Sequence, residues 1–330
     1  MPLSLFSRNH RTINIIINDY SIRLVELKSK QPLSVLRWEE RYIPFGIITD
    51  GKIADYETLA NILEECISDW KIQKRSIRFT VPDPFVIIRK ISIPADVKDD
   101  EIHGYLYLEL GSSIHLPFEE PVFDIHILSN GTEKRELLIF AAQEEHVTEY
   151  TALFQEVKLS PKAADISPLA LYRLYDHLNM AEQDERLLMV QFDLNEVNLC
   201  IFEGSIPFFM HHIAVDADEE QWNIHLNKLG NYELSFLGEK DELLFLFEDQ
   251  YKEISKLMDF YRYSIHQGKQ QVSKILLNGD HPFLPRIADE MRKRYDVPIL
   301  LIDGRSIVSA AENQFPRTHY LALGLALKEV

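Results

Sequence analysis

Three strand-forming runs follow one another near the start of the chain, and three more follow one another from its middle. Ile13 to Ile17 and Ile22 to Leu27 bracket a turn-compatible Asn18-Asp19-Tyr20-Ser21, and Ser34 to Ile43 supplies the third run. Leu187 to Phe192, Val197 to Phe202 (ending at Gly204) and Pro207 to Val215 repeat the arrangement, each rich in β-branched and aromatic residues. Helix and strand signals alternate after each meander. Asp55 precedes a helix carrying Leu59, Ile62, Leu63, Cys66 and Ile67 at helical spacing, and Ile77 to Val81 returns as a strand. In the second half the succession is strand Ile275 to Leu277, helix Leu284 to Tyr295, strand Pro298 to Leu301 and a small-residue helix Tyr320 to Leu327. A meander joined to αβ units and written twice predicts a duplicated α/β fold with a ligand-sized cleft between its halves.

Between the repeats lies something different. Pro82-Asp83-Pro84 breaks a strand, Phe85 to Ile93 is again β-like, and Asp99-Asp100 opens a helix through Tyr105, Leu106 and Leu108. Val122 to Leu128, the Asn130-Gly131 turn and Leu137 to Ala142 then read as a hairpin closed by a helix around Val147 to Phe154, which makes a compact α+β insertion. The longest predicted helix spans Glu239 to His266, with Leu244, Phe247, Tyr251, Ile254, Met258, Tyr261 and Ile265 forming a core-facing stripe.

Charge and glycine content exclude several function classes. With 35 Lys plus Arg against 52 Asp plus Glu, the formal charge of -17 opposes attraction to nucleic acid or anionic lipid. Cys66 and Cys200 are far apart and outside any CxxC, so neither a zinc site nor a disulfide framework is suggested and a reducing compartment fits. No apolar stretch approaches the roughly 20 residues that span a bilayer. Met1 to Arg11 has too short an apolar run for a signal peptide and reads as a frayed start, with a membrane-touching foot as the alternative.

Twelve glycines in 330 residues is about half the usual frequency of about 7%, and no GxG, GG or GxxG occurs, so a dinucleotide-binding fingerprint is absent. Gly46-Ile-Ile-Thr-Asp-Gly51-Lys52 has the GxxxxGK spacing of a P-loop, but Ile53 stands where Ser or Thr must bind Mg²⁺. Asp50-Gly51 instead predicts a two-residue hairpin turn.

Several stretches, in shared order across nearly the whole chain, resemble the type IV pilus assembly protein PilM family, a bacterial branch of the actin-like superfamily related to the division protein FtsA. They are Ile22-Arg23-Leu24-Val25-Glu26-Leu27, Ile43-Pro44-Phe45-Gly46 to Asp50-Gly51-Lys52-Ile53, and Arg89-Lys90-Ile91-Ser92-Ile93-Pro94. Ile114-His115-Leu116-Pro117-Phe118 before Phe123-Asp124, the Ile254 to Tyr263 helix, Leu276-Leu277-Asn278-Gly279 with Leu284-Pro285, and Ala322-Leu323-Gly324-Leu325-Ala326 complete the series.

The resemblance implies a two-lobed actin-like, ribonuclease-H-like fold with an FtsA-type subdomain inserted in the first lobe. On that expectation residues 1–82 and 161–185 form the first lobe and 83–160 the insertion. The second-lobe core is 186–215 and 268–303, its helical upper part is 216–267, and 304–330 returns a terminal helix to the first lobe. It further implies a cytoplasmic scaffold, peripheral at the inner face of the cell membrane, that binds the cytosolic N-terminal tail of a PilN-like membrane protein. Which machine it serves, pilus, competence or secretion, stays open. Capture of an extended tail by a groove or sheet edge is an ordinary mode of recognition.

Actin-like proteins cradle ATP phosphates with two hairpin loops whose glycines allow close backbone approach, and an aspartate in the first organises Mg²⁺. Counting back from Arg23, which replaces the family lysine, that aspartate falls on Ile16 and the glycine on Asn18. Asp19 is a candidate substitute or an ordinary turn residue, and Ser21 and Arg23 retain the ability to touch an anion. In the second hairpin Asp193-Leu194-Asn195 mimics Asp-Ile-Gly, so Asn195 (or Phe192 in another register) stands where glycine is expected.

In the third loop Asn278-Gly279-Asp280-His281-Pro282 keeps one glycine. The expectation is a vestigial or absent nucleotide site, no cofactor unless an ATP/Mg site has been rebuilt, and a pseudo-ATPase. The alternatives are a working ATPase or small-molecule kinase of the same superfold, and a filament former. For the partner tail, Ile88, Arg89, Tyr107, Leu116, Pro117 and Phe118 are nominated, the competing reading being that the apolar ones are insertion core.

Other constellations carry less. His211 and His212 are adjacent on a strand and face opposite sides. His146 and Glu149, one helical turn apart, lack a third ligand, so no metal is assigned. Covalent catalysis has no candidate, Cys66 reading as core. The acidic runs Asp216 to Glu220 and Glu239 to Glu242 read as solvated helix starts, with a basic partner as the alternative.

Overall fold

The computed structural model describes residues 11–215, 219–226, 232–238, 247–309 and 315–329. Its first half contains β1 (Ile13–Asn18), β2 (Ser21–Ser29), β3 (Ser34–Tyr42), the short hairpin β4 (Ile48–Thr49) and β5 (Lys52–Ile53), α1 (Tyr56–Asp69) and β6 (Ser76–Thr80). The inserted stretch supplies β7 (Val86–Pro94), α2 (Ile102–Glu109), β8 (Pro121–Asn130) and β9 (Lys134–Gln143). Next come α3 (Glu144–Glu156), β10 (Ser160–Asp165) and α4 (Ser167–His177). The second half runs through β11 (Arg186–Phe192), β12 (Glu196–Glu203), β13 (Ile206–Ala214), β14 (Trp222–Leu226), β15 (Tyr232–Phe236), α5 (Glu248–Asp259), β16 (Lys274–Asn278), α6 (Leu284–Arg294), β17 (Ile299–Leu301), β18 (Val308–Ser309) and α7 (Tyr320–Ala326).

The duplication is real at the level of topology. The first sheet runs β10-β6-β1-β2-β3-β18 and the second β13-β12-β11-β16-β17. In each, an antiparallel meander is extended by two parallel strands on the side of its first strand. Parallel extension requires crossovers, and helices supply them, so these central strands are buried on both faces. Every residue of β16 is buried, as are Ile13 to Ile17 of β1.

α1 begins where the sequence predicts, with the Asp55 carboxylate accepting the Thr58 amide at 3.0 Å, and it buries Leu59, Leu63, Cys66 and Ile67. α7 packs on α4 and on β1 and β2, joining the last residues of the chain to the first lobe. Gly324 allows that contact, since a Cβ there would lie 2.1 Å from the Ala170 carbonyl oxygen.

The inserted sheet β7-β9-β8 has two covered faces. One packs under α2 through Ile93, Leu137, Ile139, Ile102 and Leu106. The other presents Ile88, Leu138 and Phe140 to the central core that also holds Met210 of β13. α3 packs beneath the first lobe through Tyr150, Leu153 and Phe154, and β10 pairs with β6. The stretch 83–160 therefore extends beyond the three-stranded sheet into elements resting on the first lobe.

Two differences from the sequence reading stand out. Residues 239–246 of the long predicted helix lie outside the described residues, and within them the helix is α5 followed by a π-helical turn, Phe260–Ile265. That wider turn rotates the apolar stripe: Phe247, Tyr251, Ile254 and Tyr261 are buried, whereas Ile265 is exposed. The β14-β15 hairpin within 216–267 was not anticipated. Among the described residues no helix is long and apolar enough to cross a membrane.

Candidate functional site

The β1-β2 hairpin, the β11-β12 hairpin and the loop after β16 converge where the two lobes face each other. In the β1-β2 hairpin Ile16 pairs with Arg23 and Asn18 with Ser21. Both Ile16 and Ser21 are buried. Asn18 Oδ1 accepts the Ser21 amide at 2.8 Å and the Ser21 hydroxyl at 2.8 Å, a local side-chain turn that closes the hairpin without glycine.

Asp280 is the centre of the site. It comes from the second lobe, and its carboxylate sits in a socket built by the first: the Arg23 guanidinium and Tyr20 hydroxyl donate to it, and Asn18 Nδ2 adds a bond of 3.2 Å. Arg23 is also paired with Glu40 at 2.6 Å. Behind the socket the Asp280 amide donates to Asp193 Oδ1 at 2.8 Å, and Gln191 Nε2 donates to Asp193 Oδ2.

Burial opposes ionisation of Asp280, but the Arg23 charge and the Tyr20 hydrogen bond outweigh it and hold this carboxyl below its usual range. Asp193 moves the other way, pushed well up by burial and by the Asp280 charge.

Asp19 is engaged as fully. Its oxygens accept the Asp50 and Gly51 amides at 2.8 and 3.0 Å, and Asn195 Nδ2 donates to it at 2.6 Å from the second lobe. Asp50 and Gly51 both have positive φ, the two-residue turn that the sequence predicts, and the turn presents its amides to Asp19. Gly279 survives for a packing reason: with φ of +127° it lies against β11, where a Cβ would be 2.1 Å from the Phe192 carbonyl oxygen. The buried Asn278 pairs with Gln191.

A second set of ties lies alongside. The Asp83 carboxylate accepts the Ser167 hydroxyl at 2.6 and 2.7 Å and Asn198 Nδ2, from the second lobe, at 2.8 Å. Burial pushes the Asp83 carboxyl up to about 7 against the pull of the Ser167 hydrogen bonds. Glu196 is raised well above its usual value by burial and by the charges of Asp83, Asp193 and Asp19. What remains between these groups is a cavity of about 50 Å³, lined by Asn18, Arg23, Asp83, Glu196, Gly279 and Arg317 among others.

The sequence nominated the hairpin residues one loop at a time. It did not identify the pairing of Arg23 with Asp280, 257 positions apart, nor the roles of Tyr20, Asp83 and Asn198. Pro82-Asp83-Pro84 was visible only as a strand break.

The six residues nominated for a partner divide. Ile88 is 4% exposed and faces the second lobe, on the opposite side of β7 from Arg89. Leu116 and Phe118 are half-buried against the α2 cluster. Arg89, Tyr107 and Pro117 are exposed, Arg89 donating to the His115 carbonyl and Tyr107 packing on Phe123 at 4.9 Å between ring centres.

His211 is exposed while His212 turns inward to Asn198 Oδ1 at 2.8 Å, as expected of strand neighbours. Cys66 and Cys200 are buried free thiols. Among the described residues no three His, Cys, Asp or Glu are placed to hold a metal ion. Residues 216–218 and 239–242 of the acidic runs lie outside the described residues.

The chain is similar in fold to three solved structures. A PilM–PilN type IV pilus biogenesis complex matches with a TM-score of 0.73 and 20% identity over 96% of this chain and 98% of that one. The ethanolamine utilization protein EutJ from Carboxydothermus hydrogenoformans matches with a TM-score of 0.51 and 8% identity over 96% and 89%. MreB5 of Spiroplasma citri bound to ADP matches with a TM-score of 0.50 and 10% identity over 96% and 95%. The fold is thus the two-lobed actin-like one that the resemblance implied. The family model described as type IV pilus assembly protein PilM matches residues 14–214, more than half of the chain. With that match, the chain belongs to the type IV pilus assembly protein PilM family.

Proposed function

We propose that this protein is a cytoplasmic scaffold of a type IV pilus or related assembly platform. In this reading it binds the cytosolic N-terminal tail of a PilN-like membrane protein at the inner face of the membrane, and its own side chains have filled its nucleotide site. The observation that carries the reading is the filled cleft. Pockets that bury small ligands occupy roughly 300–1,000 Å³, against about 50 Å³ here. Arg23, the cation of the first hairpin, is already neutralised by Asp280 and Glu40, and the Asp50 and Gly51 amides already hold Asp19.

A triphosphate with Mg²⁺ does not fit such residues. Its charge would meet the ionised Asp280, and neither Ile16 nor Asn18 supplies a carboxylate for the metal. We therefore read the chain as a pseudo-ATPase.

Support for the partner comes from family membership and from the complex with PilN seen in the structural relative. The exposed Arg89, Tyr107 and Pro117, beside half-buried Leu116 and Phe118, form the surface we assign to the tail. The test is titration of a labelled peptide copying the cytosolic N-terminal tail of a PilN-like membrane protein from the same cell, followed by fluorescence anisotropy. Tyr107→Ala and Arg89→Glu are expected to weaken binding at least tenfold while leaving the melting temperature unchanged. Equal affinity in all three proteins would refute the surface, and no binding by the wild type would refute the partner.

A further inference from the structure

We propose that Asp280 is a tethered ligand: its carboxylate occupies the anion seat of the first-lobe hairpin in cis and so joins the two lobes without any bound nucleotide. The inference rests on the filled-cleft reading above but goes further, since it assigns the filling group a positive task.

The seat has the chemistry of an anion site rather than of a structural salt bridge between neighbours. A guanidinium, a phenol hydroxyl and a carboxamide, from Arg23, Tyr20 and Asn18, all donate toward one carboxylate that arrives from the other lobe. Both charged side chains are only 5% exposed. Three donors from one hairpin thus converge on one buried carboxylate, with Arg23 steadied by Glu40 on its other side, and charge-assisted bonds of this kind are the strong ones. Here the anion is covalently attached through the β16-α6 loop, which makes its effective concentration high and its occupancy permanent.

The attachment is stiff. The Asp280 amide is held by Asp193, Gly279 is pressed against the Phe192 backbone, and the His281 amide donates to the Phe192 carbonyl at 3.2 Å. The next side chain is seated too: the His281 ring lies edge-on to Trp222 and Phe247, with centroids 5.7 and 5.2 Å away. The same contact is relayed to the β11-β12 hairpin, because Tyr20 Oη also accepts the Leu194 amide at 3.4 Å. An actin-like pair of lobes that closes on a ligand must find that ligand in solution; this chain carries its own.

Chemical rescue tests the proposal. In Asp280→Ala the seat is emptied, and hydrogen exchange of the Leu194 and Ser21 amides is expected to accelerate at least tenfold. Acetate at 100 mM is expected to restore their protection, whereas chloride at equal ionic strength does not, and acetate has no effect on the wild type. Unchanged exchange in Asp280→Ala, or rescue by chloride as good as by acetate, would overturn the proposal. Should Asp280→Ala not fold in either salt, Asp280→Asn decides: faster exchange at Leu194 supports the tethered anion, and wild-type exchange refutes it. No nucleotide enters this experiment, so its failure and a failure of the pseudo-ATPase reading are told apart.

Discussion

Replacing Arg23 with methionine isolates the electrostatic joint between the lobes. The substitution keeps much of the aliphatic stem and removes the guanidinium, leaving Asp280 buried with the Tyr20 hydroxyl and Asn18 amide as its remaining side-chain donors on the first hairpin. With both side chains of the pair 5% exposed, solvent cannot replace the lost cation. Breaking a buried pair from one side costs about 3–5 kcal/mol, because an uncompensated charge remains.

The assay is urea denaturation at pH 7, followed in parallel by far-UV circular dichroism and tryptophan fluorescence so that coincidence of the two transitions is checked. Asp280→Asn alone should cost less than Arg23→Met, and the double variant should recover about 0.5–3 kcal/mol relative to the sum of the singles, the range for residues in direct contact. Acidification gives a further sign. In the wild type the Asp280 carboxyl is depressed, so its contribution is present above the unfolded value of 3.8 and is lost only as pH falls through the lower folded value. In Arg23→Met the carboxyl is released upward, so the variant's deficit relative to the wild type should shrink as pH falls. A loss below about 1 kcal/mol, the scale of an exposed ion pair, or strict additivity in the double variant, would refute the reasoning.

Three other outcomes follow. The folded Asp83 carboxyl titrates at about 7 against 3.8 unfolded, so its stabilising proton is fully effective below 3.8 and is lost as pH rises through 7. At 1.36 kcal/mol per unit this is on the order of 4 kcal/mol, so the wild type should be less stable at pH 8 than at pH 5, and Asp83→Asn should flatten that slope in urea titrations. Gly324→Ala drives a methyl toward the Ala170 carbonyl, and overpacking of this kind costs about 1–3 kcal/mol, visible as a lower melting temperature. Gly279→Ala should cost more than Gly324→Ala, because the clash with Phe192 is joined by a backbone at φ of +127° that a side chain rarely adopts.

Much of the fold was legible because strand and helix periods are local. The two meanders, the Asp50-Gly51 turn and the Asp55 cap each depend on residues within a few positions of one another. The β14-β15 hairpin was hidden because its strand Trp222–Leu226 is short and follows an acidic run read as a helix start, and the π-helical turn because a three- and four-residue stripe does not reveal where the helix widens.

At the site, the absence of glycine at Asn18 and Asn195 was readable residue by residue. What replaces the glycines was not: the seat of Asp280 joins positions 18, 20, 23 and 280, and Asp83 meets Asn198 across the lobes. Composition showed an acidic chain; only the fold shows five carboxylates converging on one small cavity.

The central claim is that the interlobe crevice is occupied by the protein's own side chains. Isothermal titration of the wild-type chain with ATP and Mg²⁺, at concentrations reaching 1 mM, tests it most directly. The account predicts no saturable heat, with the same sample binding the partner-tail peptide stoichiometrically; a saturable isotherm in the micromolar range would contradict it.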